Sequence, residues 1–187
     1  MTKSASGSQS TRRVFIKRCI GTAAGLLVLP RSGLTNVRRA PERSLTFLNL
    51  HTGEELHTVY WSNGAYQVSE LQAISHILRD HRTDEQHLMD RRLMDLLFAL
   101  QQSVGIRSPF EVVSGYRSPA TNAELRAVSS GVAKHSLHMQ GKAIDICVTG
   151  FSLKKLHDAA VALKAGGVGY YPKSNFIHVD TGPVRYW

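Results

Sequence analysis

Ser136-Leu137-His138-Met139-Gln140-Gly141-Lys142-Ala143-Ile144-Asp145 is the stretch on which the reading of this chain turns, together with Phe176-Ile177-His178-Val179-Asp180 closer to the C-terminus. A loop presents His138, and the small residues Gly141 and Ala143 let its backbone approach neighbouring elements tightly. Asp145 opens the apolar run Ile144–Val148, which reads as a strand, and His178 arrives on another short strand. Two imidazoles and one carboxylate fill three corners of a tetrahedron and leave the fourth to water, as in catalytic zinc sites. Bound zinc lowers the pKa of such a water from 15.7 to about 7 and polarises a carbonyl, which suits amide hydrolysis. His138, Asp145 and His178 are therefore the candidate metal ligands, and zinc is the expected ion.

Working outward, the elements around these strands alternate in type. Leu45–Leu50 and Leu56–Trp61 are β-prone runs joined by His51-Thr52-Gly53-Glu54, a hairpin pattern, and Ser62-Asn63-Gly64 marks the next turn. Ser69 with Gln72 forms a capping pattern ahead of Leu71, Ile74, Ile77 and Leu78, spaced for one helical face. A second helix is expected from Asp84 to Ser103, with Leu88, Leu93, Leu96, Leu97 and Leu100 at helical intervals and Gly105 as its stop. Phe110–Val113 reads as a strand, Gly115–Asn122 as a loop, Ala123–Val128 as a short helix and Leu153–Lys164 as an amphipathic helix. Gly167–Tyr170 and Phe176–Val179 are closing strands. The sum is an α+β fold: a small, mostly antiparallel sheet with helices packed on it.

His138-x-x-Gly141-x-Ala143-x-Asp145, followed by His178, resembles the zinc D-alanyl-D-alanine peptidases, whose core is shared with lysostaphin-type and hedgehog-type domains. Ser114-Gly115-Tyr116-Arg117-Ser118 matches as well, since that family carries a Tyr-Arg pair upstream of the first ligand with the Arg facing the substrate. The nearest branch is that of the small exported murein endopeptidases, formerly grouped as a domain of unknown function. The resemblance runs from Leu45 to Trp187 and includes Val179-Asp180-Thr181-Gly182-Pro183. It implies a zinc-dependent hydrolase of peptidoglycan that cleaves cross-links between stem peptides by metal-activated attack of water on the scissile carbonyl. A D-alanyl-D-alanine carboxypeptidase is the nearest alternative, and a non-catalytic zinc- or peptidoglycan-binding domain on the same scaffold is the second.

Arg117 is assigned to the substrate, where its planar fork binds a carboxylate or steadies a developing oxyanion. Ser114 and Tyr116 shape that loop, with donation from the Tyr116 hydroxyl to the oxyanion as the alternative for that residue. The general base is where the chain departs from the pattern. Many relatives carry an acidic residue three positions before the last ligand, and here Asn175 stands there. His135, able to titrate near neutral pH, is the first candidate. Asp180, two residues after His178 on the same strand face, is the second; its other reading is to orient a ligand from behind. The remaining histidines (His51, His57, His76, His81, His87 and His157) read as structural, without a ligand-spaced partner.

Composition narrows the classes further. The chain has 187 residues, enough for one ordinary domain, and a formal net charge of +9. Residues 1–40 hold eight basic and no acidic residues, so the rest, with 15 basic against 14 acidic, is nearly neutral. A nucleic-acid-binding body is excluded on that distribution. Of the two cysteines, Cys19 lies in the N-terminal segment and Cys147 stands alone in the body, so neither a disulfide framework nor a cysteine-rich zinc site is available. Cys147 itself reads as a core residue among Ile144, Ile146 and Val148.

Thr11-Arg12-Arg13-Val14-Phe15-Ile16-Lys17 resembles a twin-arginine export signal, and Ile20–Leu29 is a weakly hydrophobic run too short to span a bilayer as a helix. Residues 1–30 are therefore expected to be an export signal handled by the twin-arginine machinery, 31–43 a linker, and 44–187 the peptidase domain. The expected location is the periplasm or cell envelope, with membrane contact only through the signal if it is not cleaved.

Overall fold

The computed structural model describes residues 41–129 and 131–187, so the expected export signal and nearly all of the expected linker lie outside the described residues. Strands β1 (Arg43–Asn49) and β2 (Glu55–Ser62) form the expected hairpin, with Gly53 at φ +74 supplying the left-handed turn residue. A two-residue strand β3 (Ala65–Tyr66) follows the Asn63-Gly64 turn. Helix α1 (Val68–Ile77) comes next, but Ser69 does not cap it. The N-cap position falls on Gln67, whose side chain bonds instead to the carbonyls of Ser62 and Ala65.

The second helix, α2 (Arg91–Val104), starts seven residues later than its apolar periodicity suggests. Asp84 adopts φ +58 and Asp90 takes the N-cap, accepting the Arg92 amide at 2.9 Å, so residues 84–90 run as a loop. Leu88, counted toward the helix face, is 65% exposed. The helix ends where expected, with Gly105 left-handed at φ +67. After β4 (Phe110–Ser114) the chain enters α3 (Pro119–Val128), four residues ahead of the predicted start. Ser118 caps it through the Thr121 amide and Pro119 sits at its first turn, where a missing N–H costs nothing. A single 3₁₀ turn, Leu137–Gln140, leads into β5 (Ala143–Cys147). Then follow α4 (Leu153–Leu163), β6 (Gly167–Tyr171), β7 (Phe176–Asp180) and the short β8 (Arg185–Tyr186).

Among the described residues these strands form one sheet in the order β3-β2-β1-β4-β5-β7-β6-β8. Only β1 with β4 and β6 with β8 pair in parallel; the other neighbours are antiparallel, in keeping with the expected α+β class. Helix α2 lies on β1, α4 lies on β6 and β7, and the two helices touch each other. Leu93, Leu97 and Leu100 of α2 and Leu156 and Ala160 of α4 meet Phe47, Phe110, Ile144 and Ile177 of the sheet in one buried cluster. No helix among the described residues is long and apolar enough to cross a membrane.

Candidate metal centre and the cleft around it

Strand register brings Asp145 and His178 together. β5 and β7 pair antiparallel with Asp145 opposite His178, and directly opposed residues point to the same face of a sheet. Their neighbours Ile144–Val179 and Ile146–Ile177 are also opposed and point to the other face, into the core. His138 reaches the same spot from the 3₁₀ turn, which begins with the Ser136 hydroxyl accepting the His138 amide at 3.4 Å. The turn ends in Gly141 at φ +63, where a Cβ would lie 2.6 Å from the Leu88 carbonyl oxygen. The tight approach expected of Gly141 is thus against the loop before α2.

The ligating atoms of His138, Asp145 and His178 all lie within 4.8 Å of one another; among the described residues no other such group could hold a metal ion. Asp145 Oδ1 is 2.9 Å from His178 Nδ1 and 3.4 Å from His138 Nε2, and the two nitrogens are 3.2 Å apart. Bonds of 2.0–2.1 Å to a tetrahedral zinc imply edges of about 3.3–3.4 Å between ligand atoms. The spacing fits.

Proton bookkeeping points the same way. His138 Nδ1 lies 2.7 Å from the Gly115 carbonyl, which can only accept, so that nitrogen carries the proton and Nε2 offers a lone pair. His178 Nε2 donates to the Asp180 carboxylate at 2.9 Å, leaving its Nδ1 lone pair inward. Two lone pairs and a carboxylate oxygen therefore converge, and such a cluster needs a cation at its centre. In the metal-free protein a proton supplies it. Burial works against a charged His178, but hydrogen bonds to Asp145 and Asp180 and their charges prevail, so its pKa is pushed up to about 9. Burial likewise opposes ionisation of Asp145, yet the neighbouring imidazoles hold its carboxyl well below the usual range.

Asp180 stands behind this group. Fully buried, it accepts from His178 Nε2, from Arg185 Nη2 at 2.7 Å, and from the amides of Gly167 at 3.1 Å and Gly182 at 2.8 Å. These donors outweigh its burial and keep it ionised. It does not line the cleft. Of the two base candidates, this geometry leaves Asp180 in the orienting position and His135 at the cleft, with its side chain exposed. Asn175 occupies an exposed turn at φ +54, a left-handed conformation that asparagine tolerates, and it too is absent from the lining.

Arg117 reaches the cleft from a loop fixed at three points. Tyr116 N donates to Leu78 O at 2.7 Å, Ser118 N donates to buried Asp80 at 2.8 Å, and Arg117 N donates to His138 O at 3.3 Å. Its guanidinium is largely buried, yet its contacts are long: 3.4 Å to Ser114 Oγ, 3.5 Å to Asn122 Oδ1 and 3.7 Å to Asp145 Oδ2. Nε is buried without a partner. Burial lowers its pKa, the Asp145 charge raising it in part. A shielded guanidinium with underused donors, beside the ligand group, is suited to an anionic or carbonyl oxygen. Tyr116 itself stacks on His87 at 5.0 Å and lies outside the lining, so it shapes the loop.

The cleft measures about 280 Å³. Part of its wall is aromatic, made by Tyr171, Phe176 and Trp187, and Arg185 lines it as well. These residues, and the Asp80 anchor, were not foreseeable from spacing: Trp187 reaches the cleft only through pairing of β8 beside β6.

The family model described as "Peptidoglycan L,D-endopeptidase MepK" (Peptidase_M15_2) matches residues 38–187. The chain is 44% identical over 167 residues to the peptidoglycan L,D-endopeptidase MepK of Escherichia coli (strain K12), covering 89% of this chain and 92% of that protein. It is 45% identical over 168 residues to a probable peptidoglycan L,D-endopeptidase MepK of Haemophilus influenzae, covering 89% and 90% respectively. No solved structure matches.

Proposed function

The chain belongs to the MepK family of the zinc D-alanyl-D-alanine peptidase-like superfamily, and on that premise we propose that it is an exported zinc peptidase cutting peptide cross-links of peptidoglycan at a bond between an L- and a D-centre. The observation that carries the metal half of this reading is the convergence of His138 Nε2, His178 Nδ1 and an Asp145 oxygen, each histidine already committed to an acceptor on its far side. The bond specificity follows the names of its relatives.

His138, Asp145 and His178 hold the ion, which when bound supplies Lewis acidity and a water of lowered pKa. The chain's own groups do the rest. Arg117 offers its free donors to the scissile carbonyl oxygen as negative charge develops there, or to a substrate carboxylate beside it. His135, exposed and lining the cleft, accepts the proton of the attacking water and returns it to the leaving amine. Asp180 keeps the His178 proton on Nε2 so that Nδ1 stays available.

The test is to incubate the purified protein with defined cross-linked muropeptides, with chelator and with zinc restored, and read the products by mass. Monomers from dimers, lost with chelator and regained with zinc, are expected. Shortened stems alone point to a carboxypeptidase, and intact substrate at every metal level overturns the enzyme reading. For export, Arg12→Lys with Arg13→Lys is expected to retain the protein inside the cell; unchanged export overturns the twin-arginine assignment.

A further inference from the structure

Trp187 is a large aromatic residue left 48% exposed, yet it is firmly held. Its backbone extends the β8 pairing, with Trp187 N donating to Val168 O at 3.2 Å and Tyr170 N donating to Trp187 O at 2.9 Å. Its indole N–H donates to the Tyr171 hydroxyl at 2.7 Å. The ring sits 5.3 Å from the His178 ring and carries the Arg185 guanidinium 5.0 Å from its centroid. Space for it is provided by Gly169, which lies opposite His178 in the sheet. A Cβ on Gly169 would come within 2.7 Å of the indole. This glycine has no positive φ to explain it, so room for the ring is what its missing side chain provides.

An exposed aromatic ring ordinarily turns its polar edge to water. Here that edge is already committed to Tyr171, and the ring contributes its π surface to the cleft, with Arg185 over it and the stacked Tyr171 and Phe176 rings, 4.6 Å apart, beside it. Arg117 lines the same cleft. The wall borders the His138–Asp145–His178 group directly, since the indole lies 5.3 Å from the His178 ring and lines the same cleft. Planar amides and methylene groups pack well on such a face.

We propose that Trp187, seated in the Gly169 slot, is a specificity-determining residue that grips the extended peptide segment flanking the scissile bond, and this rests on the peptidase reading above. The wall binds substrate; it does not brace the metal ligand. Trp187→Ala is expected to raise KM for a cross-linked dimeric muropeptide by several-fold to about tenfold, the worth of one aromatic stack, with kcat changed much less. Trp187→Phe restores most of the affinity. Gly169→Ala, which displaces the ring, gives the same defect, and combining it with Trp187→Ala adds little.

A second readout needs no turnover. Titrating the chelated protein with the same dimer is expected to change indole fluorescence, and the change is absent in Trp187→Phe although Trp61 remains. An unaltered KM in Trp187→Ala overturns the proposal, as does a loss confined to kcat or to zinc content, which would make the ring a brace for His178. If the wild-type protein fails to cleave, the peptidase reading falls on its own. The fluorescence titration still decides whether the wall takes a peptide.

Discussion

Replacing Asp180 by Asn removes one charge and changes one oxygen to an amide nitrogen, and the surroundings make the outcome calculable. The carboxylate is fully buried and accepts from the His178 ring at 2.9 Å, the Arg185 guanidinium at 2.7 Å and two backbone amides. Asparagine keeps one acceptor, enough for the Gly167 and Gly182 amides. Its NH₂ must then face the two donors that share the other oxygen, His178 Nε2–H and Arg185 Nη2. Losing a charge-assisted hydrogen bond costs about 1.5–3 kcal/mol and leaving a buried donor unpaired about 1–3 kcal/mol. The total, roughly 2.5–6 kcal/mol, brackets the usual cost of about 3–5 kcal/mol for breaking a buried pair from one side. At about 2–4 °C per kcal/mol for a domain of this size, the metal-free protein should melt about 10 °C lower. The alternative open to the site is to move the His178 proton to Nδ1, which spoils that nitrogen as a ligand. Zinc affinity should accordingly fall about 10–100-fold. Competition with a chelator followed by calorimetry measures the affinity, and activity at saturating zinc should largely recover. The reasoning is refuted if Asp180→Asn binds zinc like the wild type and stays inactive at saturating zinc, for that is the behaviour of a lost general base.

Three further outcomes follow from the same geometry. The raised pKa of His178 makes its protonated form a stabiliser of the metal-free protein, present in full below the unfolded value near 6.5 and lost as pH rises through about 9. Denaturant melts of chelated protein should show roughly 3 kcal/mol of that loss, less where water screens it, and a flat profile would contradict the paired lone-pair arrangement. Arg117→Lys, which keeps the charge but not the fork, should lower kcat/KM about 10–100-fold with zinc content unchanged, by steady-state kinetics beside metal analysis; wild-type kinetics would remove Arg117 from the substrate. Cys147→Ser should retain activity in the muropeptide assay. The thiol is buried against Glu111 and its pKa is pushed up to about 12, so it is no nucleophile, and complete inactivation would reopen that question.

The parts of the fold that were legible are those where chain-local chemistry decides. Gly53 and Gly105 stand where a left-handed backbone is required, and both turns fall where the sequence places them. The strands around Asp145 and His178 are short apolar runs that pair antiparallel, as do the two closing strands Gly167–Tyr171 and Phe176–Asp180. The start of α2 was misplaced because Leu88 continues the helical spacing by coincidence, while the decision is made by Asp90 as cap and by the loop's packing against Gly141. Periodicity counts apolar residues; it does not register that a tertiary contact needs that segment extended. Ser69 misled for the related reason that a capping pattern is a local signal and Gln67 satisfied the turn before it.

At the site, residue identity could be read while direction could not. A motif can nominate His138 and His178, but it cannot say which ring nitrogen faces inward. That is set by the Gly115 carbonyl, on a loop pinned by the Tyr116 amide to Leu78 O so closely that a side chain on Gly115 would collide there, and by Asp180, held by the Gly167 and Gly182 amides. Neither partner is marked by spacing. The same separation explains Asp180, whose position on the strand face of His178 is equally compatible with giving up a proton to substrate or fixing one on the ligand. Only the donors around it decide: a carboxylate saturated by two amides, a guanidinium and an imidazole has no free lone pair to offer a water in the cleft. His135, by contrast, is exposed and lines the cleft, which is why the proposed mechanism gives it the proton.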